Sequence, residues 1–442
     1  MLVSPINVDN SDDLLKAASA TAIEDTLRRM RMRLRRWKRW LTQTHQYLNV
    51  VKKLEPKGIK NPSIDGDKLA EYIAASIPLH VADGWSYLAR AFDSIKTGDR
   101  NTAVHLAYYA ELRAAMSLLA SEGVGVFNRR HVAIGPACTP TMWRSNARGT
   151  HVDTWKLLGS WADDPIRVNT ILTAIEVESW TIDEWFDAAN IGSFAKYSVA
   201  REWLTAWSID LKYFSRDREF RNHVSYSPSR ISPIVLGKID SVEDIIEPIF
   251  SIWDALAPTT DSGGAAIDRV LLQRALTRAH ELYLSPGEDW ADFLGRLDGI
   301  ASDVLQNQLK DSGRKEHYVF DWADHGTQNP PVQAVLARAT LLLRIANGVC
   351  ARRLAAAGVR KQDLQFWWTA IGEDGGLWSD YVELDSFADL LWPDVDFALE
   401  NSERELDYMN SSGTVYDIGQ ILGPQVALTQ FTRVPLWLLG VD

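Results

Sequence analysis

Thr102-Ala103-Val104-His105-Leu106-Ala107-Tyr108-Tyr109-Ala110-Glu111-Leu112-Arg113-Ala114-Ala115-Met116-Ser117-Leu118-Leu119 reads as one helix with a Tyr-Tyr-Ala face and many small residues. Small side chains let a second helix approach closely. The two tyrosines can bury their rings while still offering hydroxyls. The same period continues outward. Leu27, Met30, Leu34, Trp37 and Leu41 fall at spacings of 3, 4, 3 and 4, one stripe of a long helix with Glu24 and Asp25 in its first turn. Helices are expected at 67–76, 80–97, 100–122, 151–160, 165–175, 182–189 and 195–222. Beyond residue 264 they are expected at 265–284, 288–309, 331–357, 361–370, 385–391, 395–409 and 424–438. The segment Glu55–Gly66 reads as a loop, and Gly123–Pro140 as an irregular crossing or a short hairpin. Period-2 alternation is scarce, so the expected fold is mainly α: a multi-helix bundle with a second helical domain.

Ala257-Pro-Thr-Thr-Asp-Ser-Gly-Gly264 is the best linker candidate, being small, polar and glycine-paired. It suggests a basic amphipathic N-terminal helix within 1–60, a helical domain over 61–256, and a Trp-rich acidic helical domain over 265–442. No repeat of solenoid period is present. Apolar residues make up 46% and charged residues 24%, ordinary values for a globular chain, whereas 18 Trp are many and point to thick inter-helix packing. Cys138 and Cys350 give neither a disulfide framework nor a zinc site, so a reducing, cytoplasmic setting is expected. Met1 leads into Ser, Pro, Asn and Asp without the layout of a signal peptide. The apolar run 332–357 carries four arginines, so no membrane partner is expected.

Net charge is −11, but residues 1–60 carry 13 Lys/Arg against 6 Asp/Glu, leaving the remainder at −18. Residues 372–410 hold 12 acids against Arg404 alone. Such a chain does not grip nucleic acid over its whole surface. Contact with RNA would be local. It would run through Arg28, Arg29, Arg33, Arg35, Arg36, Lys38 and Arg39 of the basic helix, or through a second cluster, Arg216-Asp-Arg218-Glu-Phe-Arg221-Asn222-His223-Val-Ser-Tyr226. The basic helix can equally be a solvated face, or can dock on the acidic 372–410 region within or between chains. In the second cluster, arginines can hold a phosphate in bidentate fashion and a histidine can move a proton near neutral pH. The bland reading is a charged helix end, with Asp217 and Arg221 forming an ordinary surface pair four residues apart.

The Tyr108-Tyr109-Ala110 helix, the arginine–histidine cluster and Thr150-His151-Val-Asp-Thr-Trp155 together resemble the HEPN superfamily of prokaryotic helical domains, over roughly residues 80–230. Its signature is an arginine, four to six residues, then a histidine; Arg218 and Arg216 both stand at that spacing from His223. The resemblance implies a HEPN-like bundle and a metal-independent endoribonuclease of toxin or anti-phage defence systems, often dimeric. His223 would be the acid–base group and Arg218 the phosphate ligand, with Arg216 as alternate. A polar residue commonly follows the family's arginine, and here the Arg-Asn pair is Arg221-Asn222. Counted from Arg221, Tyr226 occupies the histidine slot. In that register the chain would be a non-catalytic scaffold or partner-binding subunit, with its acidic 372–410 region meeting a protein partner.

No cofactor or metal is expected. His317, Asp321, Asp324 and His325 are metal-ligand types without a metal spacing, and read as a capped loop before Pro330-Pro331. Gly372-Glu-Asp-Gly-Gly376 lacks the Lys-Ser/Thr of a phosphate loop, and neither a nucleophile elbow nor a dinucleotide fingerprint is present.

Overall fold

The computed structural model describes residues 2–54, 63–144, 146–204, 211–226, 242–259, 264–283, 289–310, 318–324, 331–372, 388–407 and 415–440. The fold is mainly α. Its strands are short: β1 (Leu2–Val3), β2 (Ile6–Val8), β3 (Ile64–Asp65), β4 (Val124–Gly125), β5 (His131–Ile134), β6 (Pro140–Trp143), β7 (Glu176–Val177) and β8 (Trp180–Thr181). The helices of the first half are α1 (Ser11–Ala17), α2 (Ala20–Trp37), α3 (Val50–Leu54), α4 (Gly66–Lys96), α5 (Arg100–Ser121), α6 (Thr150–Ala162), α7 (Pro165–Val168), α8 (Ile182–Ala188), α9 (Ser193–Glu202) and α10 (Leu211–Tyr226). The second half adds α11 (Val242–Leu256), α12 (Ala266–Tyr283), α13 (Trp290–Gly295), α14 (Asp303–Lys310), α15 (Tyr318–Ala323), α16 (Val332–Ala356), α17 (Lys361–Gly372), α18 (Ala388–Asp407), α19 (Val415–Leu422) and α20 (Val434–Leu438).

Helices α4, α5 and α16 form the centre. α5 starts where the Asp99 carboxylate accepts from the Thr102 amide, and its small residues are buried on several faces, so α4 and α16 can both approach it. Two glycines bring α16 into close contact. A Cβ on Gly84 of α4 would lie 2.5 Å from the Leu343 side chain of α16, and one on Gly348 of α16 would lie 1.8 Å from the Ala174 carbonyl oxygen, a backbone clash that reserves position 348 for glycine. Trp85 Nε1 donates to Asn347 across the same seam at 3.3 Å. α16, from beyond residue 264, packs on both α4 and α5 and shares their core. At the proposed linker the chain closes on itself, with the Thr259 amide bonded to Gly264 carbonyl oxygen at 2.8 Å; residues 260–263 lie outside the described part.

α16 is long and apolar enough to cross a membrane, yet 94% of its apolar window is buried inside the fold. Its arginines explain why it lies here. Arg338 forks onto Asp217, and Arg344 forks onto Asp268. The tryptophans largely fill the core as expected; Trp85, Trp143, Trp161, Trp185, Trp203, Trp253 and Trp368 are fully buried.

Residues 123–143 form more than a crossing. β4, β5 and β6 pair antiparallel, and β2 adds to β6 in parallel, giving a four-stranded sheet. The basic helix is shorter than its hydrophobic stripe. α2 begins after the Ser19 cap, so Glu24 and Asp25 stand in its second turn, and it ends where Lys38 turns left-handed at φ 51°. Trp40 still buries, edge-on to Phe366 and Trp367. Leu41 thus continues the apolar pattern without continuing the helix.

Candidate functional site

α5, α6 and α10 meet at one place. On α5, His105, Tyr108 and Tyr109 are three and four residues apart and share a face. On α10, Phe214, Asp217, Arg218 and Arg221 recur at the same intervals. Phe214 stacks on Trp155 of α6, with ring centres 4.5 Å apart and planes 3° apart, which fixes α10 against α6. His151 is the second residue of α6. The start of α6 is tied down by Asp153, whose Oδ2 accepts from the Arg148 and Gly149 amides at 2.6 and 3.1 Å and contacts His131 Nε2 at 2.8 Å. Burial alone would raise the Asp153 carboxyl, but His131 and the two amides outweigh it and hold it below its ordinary value.

Arg221 is buried where the three helices meet, only 5% exposed. Its Nη2 is 3.3 Å from His151 Nδ1, and its guanidinium carbon is 5.0 Å from the Tyr108 ring centre and 5.5 Å from that of Tyr109. Its Nε is buried without a hydrogen-bond partner, and among the described residues no carboxylate pairs with it. Tyr108 Oη accepts from Trp155 Nε1 at 3.4 Å and lies 3.2 Å from His151 Nδ1. A neutral imidazole with Nδ1 as the acceptor satisfies both the hydroxyl and the guanidinium. The electrostatics agree: burial, then Arg221, Arg218, Arg113 and His105, push His151 down to about 4. Burial chiefly pushes the Tyr108 hydroxyl up to about 12. Half-buried His105 is lowered by burial and then by Arg221, and its ring lies 5.0 Å from that of Tyr109.

A second charged cluster is buried nearby. Asp217, Glu111 and Arg338 are all fully buried. Arg338 donates to both Asp217 oxygens at 2.8 and 2.7 Å, while Glu111 is 3.9 Å from the guanidinium. Burial and then Asp217 raise the Glu111 carboxyl well above its ordinary value, and both of its oxygens are buried without a hydrogen-bond partner. The expected surface pair between Asp217 and Arg221 is therefore corrected. Asp217 is fully buried and is bound to Arg338, which leaves Arg221 with no carboxylate partner among the described residues.

The other sequence-derived residues are dispersed. Arg216 is exposed and lies over the Tyr213 ring, Asn222 is exposed, and Arg218 is half-buried, 3.5 Å from Glu219. His223 and Tyr226 belong to the last turn of α10, but their side chains lie outside the described residues. Within the basic helix, Arg28 pairs with Asp25, Arg29 bonds to Thr26, Arg33 to Glu71, and Arg35 with Arg31 to Asp363. The acids it meets are thus on α4 and α17, whereas the described acids of 372–410 are on α18. Arg36, Lys38 and Arg39 remain exposed. His317 and His325 lie outside the described residues, as do 373–387 and 408–410 of the acidic region.

His151, His105 and the buried Glu111–Asp217–Arg338 cluster were not singled out as site residues by sequence. A histidine two residues after Gly149, at a helix start, was the available signal for His151. The comparisons with known proteins do not name this arrangement: no family model, curated protein or solved structure matches the chain.

Proposed function

We propose that the Arg221–His151–Tyr108 cluster binds a phosphodiester, and that the chain is a HEPN-like, metal-independent endoribonuclease of a toxin or anti-phage defence system. One observation carries this reading: Arg221 is a buried guanidinium with an unpartnered Nε and no described carboxylate. Burying an uncompensated cation costs several kcal/mol, and an anionic ligand repays it. His151, which Arg221 touches, is in the first turn of α6, where the Gly149 cap offers no side-chain acceptor and the helix dipole favours an anion. A phosphate that takes over the Arg221 hydrogen bond leaves His151 Nδ1 in contact with the Tyr108 hydroxyl, whose proton can rotate away. It also neutralises the cation that depresses that imidazole. His151 then becomes a competent acceptor for the 2′-hydroxyl proton, and Arg221 stabilises charge developing on the phosphate.

In this reading Arg221 holds the position first expected of Arg218 or Arg216, and His151 supplies the proton chemistry first expected of His223. The test is cleavage of single-stranded RNA in EDTA by the wild type, His151→Ala, Arg221→Ala and His223→Ala. His151→Ala and Arg221→Ala are expected to lose at least about a hundredfold in rate, and His223→Ala far less. Full activity in His151→Ala sinks the assignment. An RNA left intact by the wild type favours the scaffold alternative, in which the same cluster docks an anionic group of a partner.

A further inference from the structure

His105 was part of no sequence motif beyond its helix, yet the fold brings it to the same ring that His151 touches. Both imidazoles pack on Tyr109, with ring centres 5.0 Å away for His105 and 5.5 Å for His151. Both are half-buried rather than sealed, and both feel Arg221. They come from different helices, so their arrangement is a product of the packing of α5 on α6. Tyr109 stacks in turn on Tyr87 of α4, ring centres 5.3 Å apart, which limits its freedom to swing away. The cluster therefore presents one anion-seeking guanidinium with two imidazoles around it. An in-line displacement at phosphorus has this requirement: one group to accept a proton at the attacking oxygen and another to donate one at the leaving oxygen.

We infer that His105 is the second proton-transfer residue of this site, donating to the leaving 5′-oxygen while His151 accepts the 2′-hydroxyl proton. This rests on the phosphodiesterase reading above. The step balances without a co-reactant. The 2′-O–H bond breaks and its proton goes to His151. The 2′-oxygen bonds to phosphorus, and the P–O5′ bond breaks. O5′ leaves with the proton of the His105 imidazolium, and the products are a 2′,3′-cyclic phosphate and a 5′-hydroxyl. His105 gains its proton from water when the phosphate anion enters and offsets Arg221.

The two roles separate by leaving group. A ribonucleoside 3′-(4-nitrophenyl phosphate) expels a stable phenolate that needs no proton, whereas RNA expels an alkoxide that does. His105→Ala is expected to lose about a hundredfold more rate on RNA than on the nitrophenyl ester. His151→Ala is expected to lose comparably on both. Added imidazole is expected to restore part of the RNA cleavage of His105→Gly. Equal losses of His105→Ala on the two substrates, or no imidazole rescue, overturn the assignment of His105 while leaving the phosphodiesterase reading intact. A wild-type protein inert toward both substrates overturns that reading and the inference with it. Should His105→Ala fail to fold, as judged by its circular dichroism, His105→Gln replaces it in the same comparison.

Discussion

Replacing Arg221 by Met and Arg338 by Met makes the same chemical change at two buried arginines, and the structure assigns them opposite consequences. Arg338 forks onto Asp217 at 2.8 and 2.7 Å, and both groups are fully buried. Without it, Asp217 is a buried carboxylate with no cation, a loss of about 3–5 kcal/mol. Among the described residues Arg221 has no such partner. Its removal forfeits contacts with two tyrosine rings, about 0.5–2 kcal/mol, and the contact with His151. It also abolishes the desolvation of an uncompensated guanidinium, which offsets several kcal/mol. Arg221→Met should therefore fall within about 1 kcal/mol of the wild type, and Arg338→Met well below it. Urea unfolding of the three proteins measures this directly. Inorganic phosphate supplies the second arm. At a hundred times its dissociation constant it should stabilise the wild type by about 2.7 kcal/mol and Arg221→Met hardly at all. Equal destabilisation by both substitutions, or equal phosphate protection of Arg221→Met, would refute the view that Arg221 awaits an anion.

Burial raises the Glu111 carboxyl well above its ordinary value, and it is Asp217 that Arg338 grips, so Glu111→Gln should change stability by less than about 1 kcal/mol, whereas Asp217→Asn should cost about 3 kcal/mol or more by stranding Arg338; similar urea midpoints for the two would contradict this division of roles. His151 titrates near 4 in the fold, below an ordinary histidine near 6.5, so the unfolded chain takes up the proton first as pH falls. Its contribution is fully present above about 6.5 and is lost as pH falls towards 4, so wild-type stability should drop more steeply over that window than that of His151→Asn. Replacing Arg36, Lys38 and Arg39 together by Ala tests the exposed end of the basic helix. If they touch RNA, the slope of log K against log salt should shrink by about 2, and an unchanged slope would assign them to the solvated surface.

The helical class was legible because it follows from local spacing. The stripe of α2 and the small-residue pattern of α5 are written in consecutive residues. The boundary of α2 was not, because Trp40 and Leu41 keep the apolar rhythm while Lys38 breaks the backbone. The site was legible only in part. Arg221 could be named from its cluster, but its difference from Arg216 and Arg218 depends on which face of α10 packs inward. That choice is made by Phe214 on Trp155 and by Asp217 on Arg338, the latter 121 residues away in sequence. The Asp217–Arg221 pair was misplaced for the same reason, since i,i+4 spacing permits a surface pair but does not say where the carboxylate's stronger partner lies. His151 and His105 come together only through the packing of α6 on α5, and the central position of α16 rests on glycine contacts that no local pattern records.

Mass spectrometry of the ends left on a single-stranded RNA after incubation with the purified protein in EDTA tests metal-independent cleavage through the 2′-hydroxyl most directly. The expected products are 2′,3′-cyclic phosphates and 5′-hydroxyls, absent with His151→Ala. Fragments bearing 3′-hydroxyls and 5′-phosphates, or an RNA left intact, would contradict that mechanism.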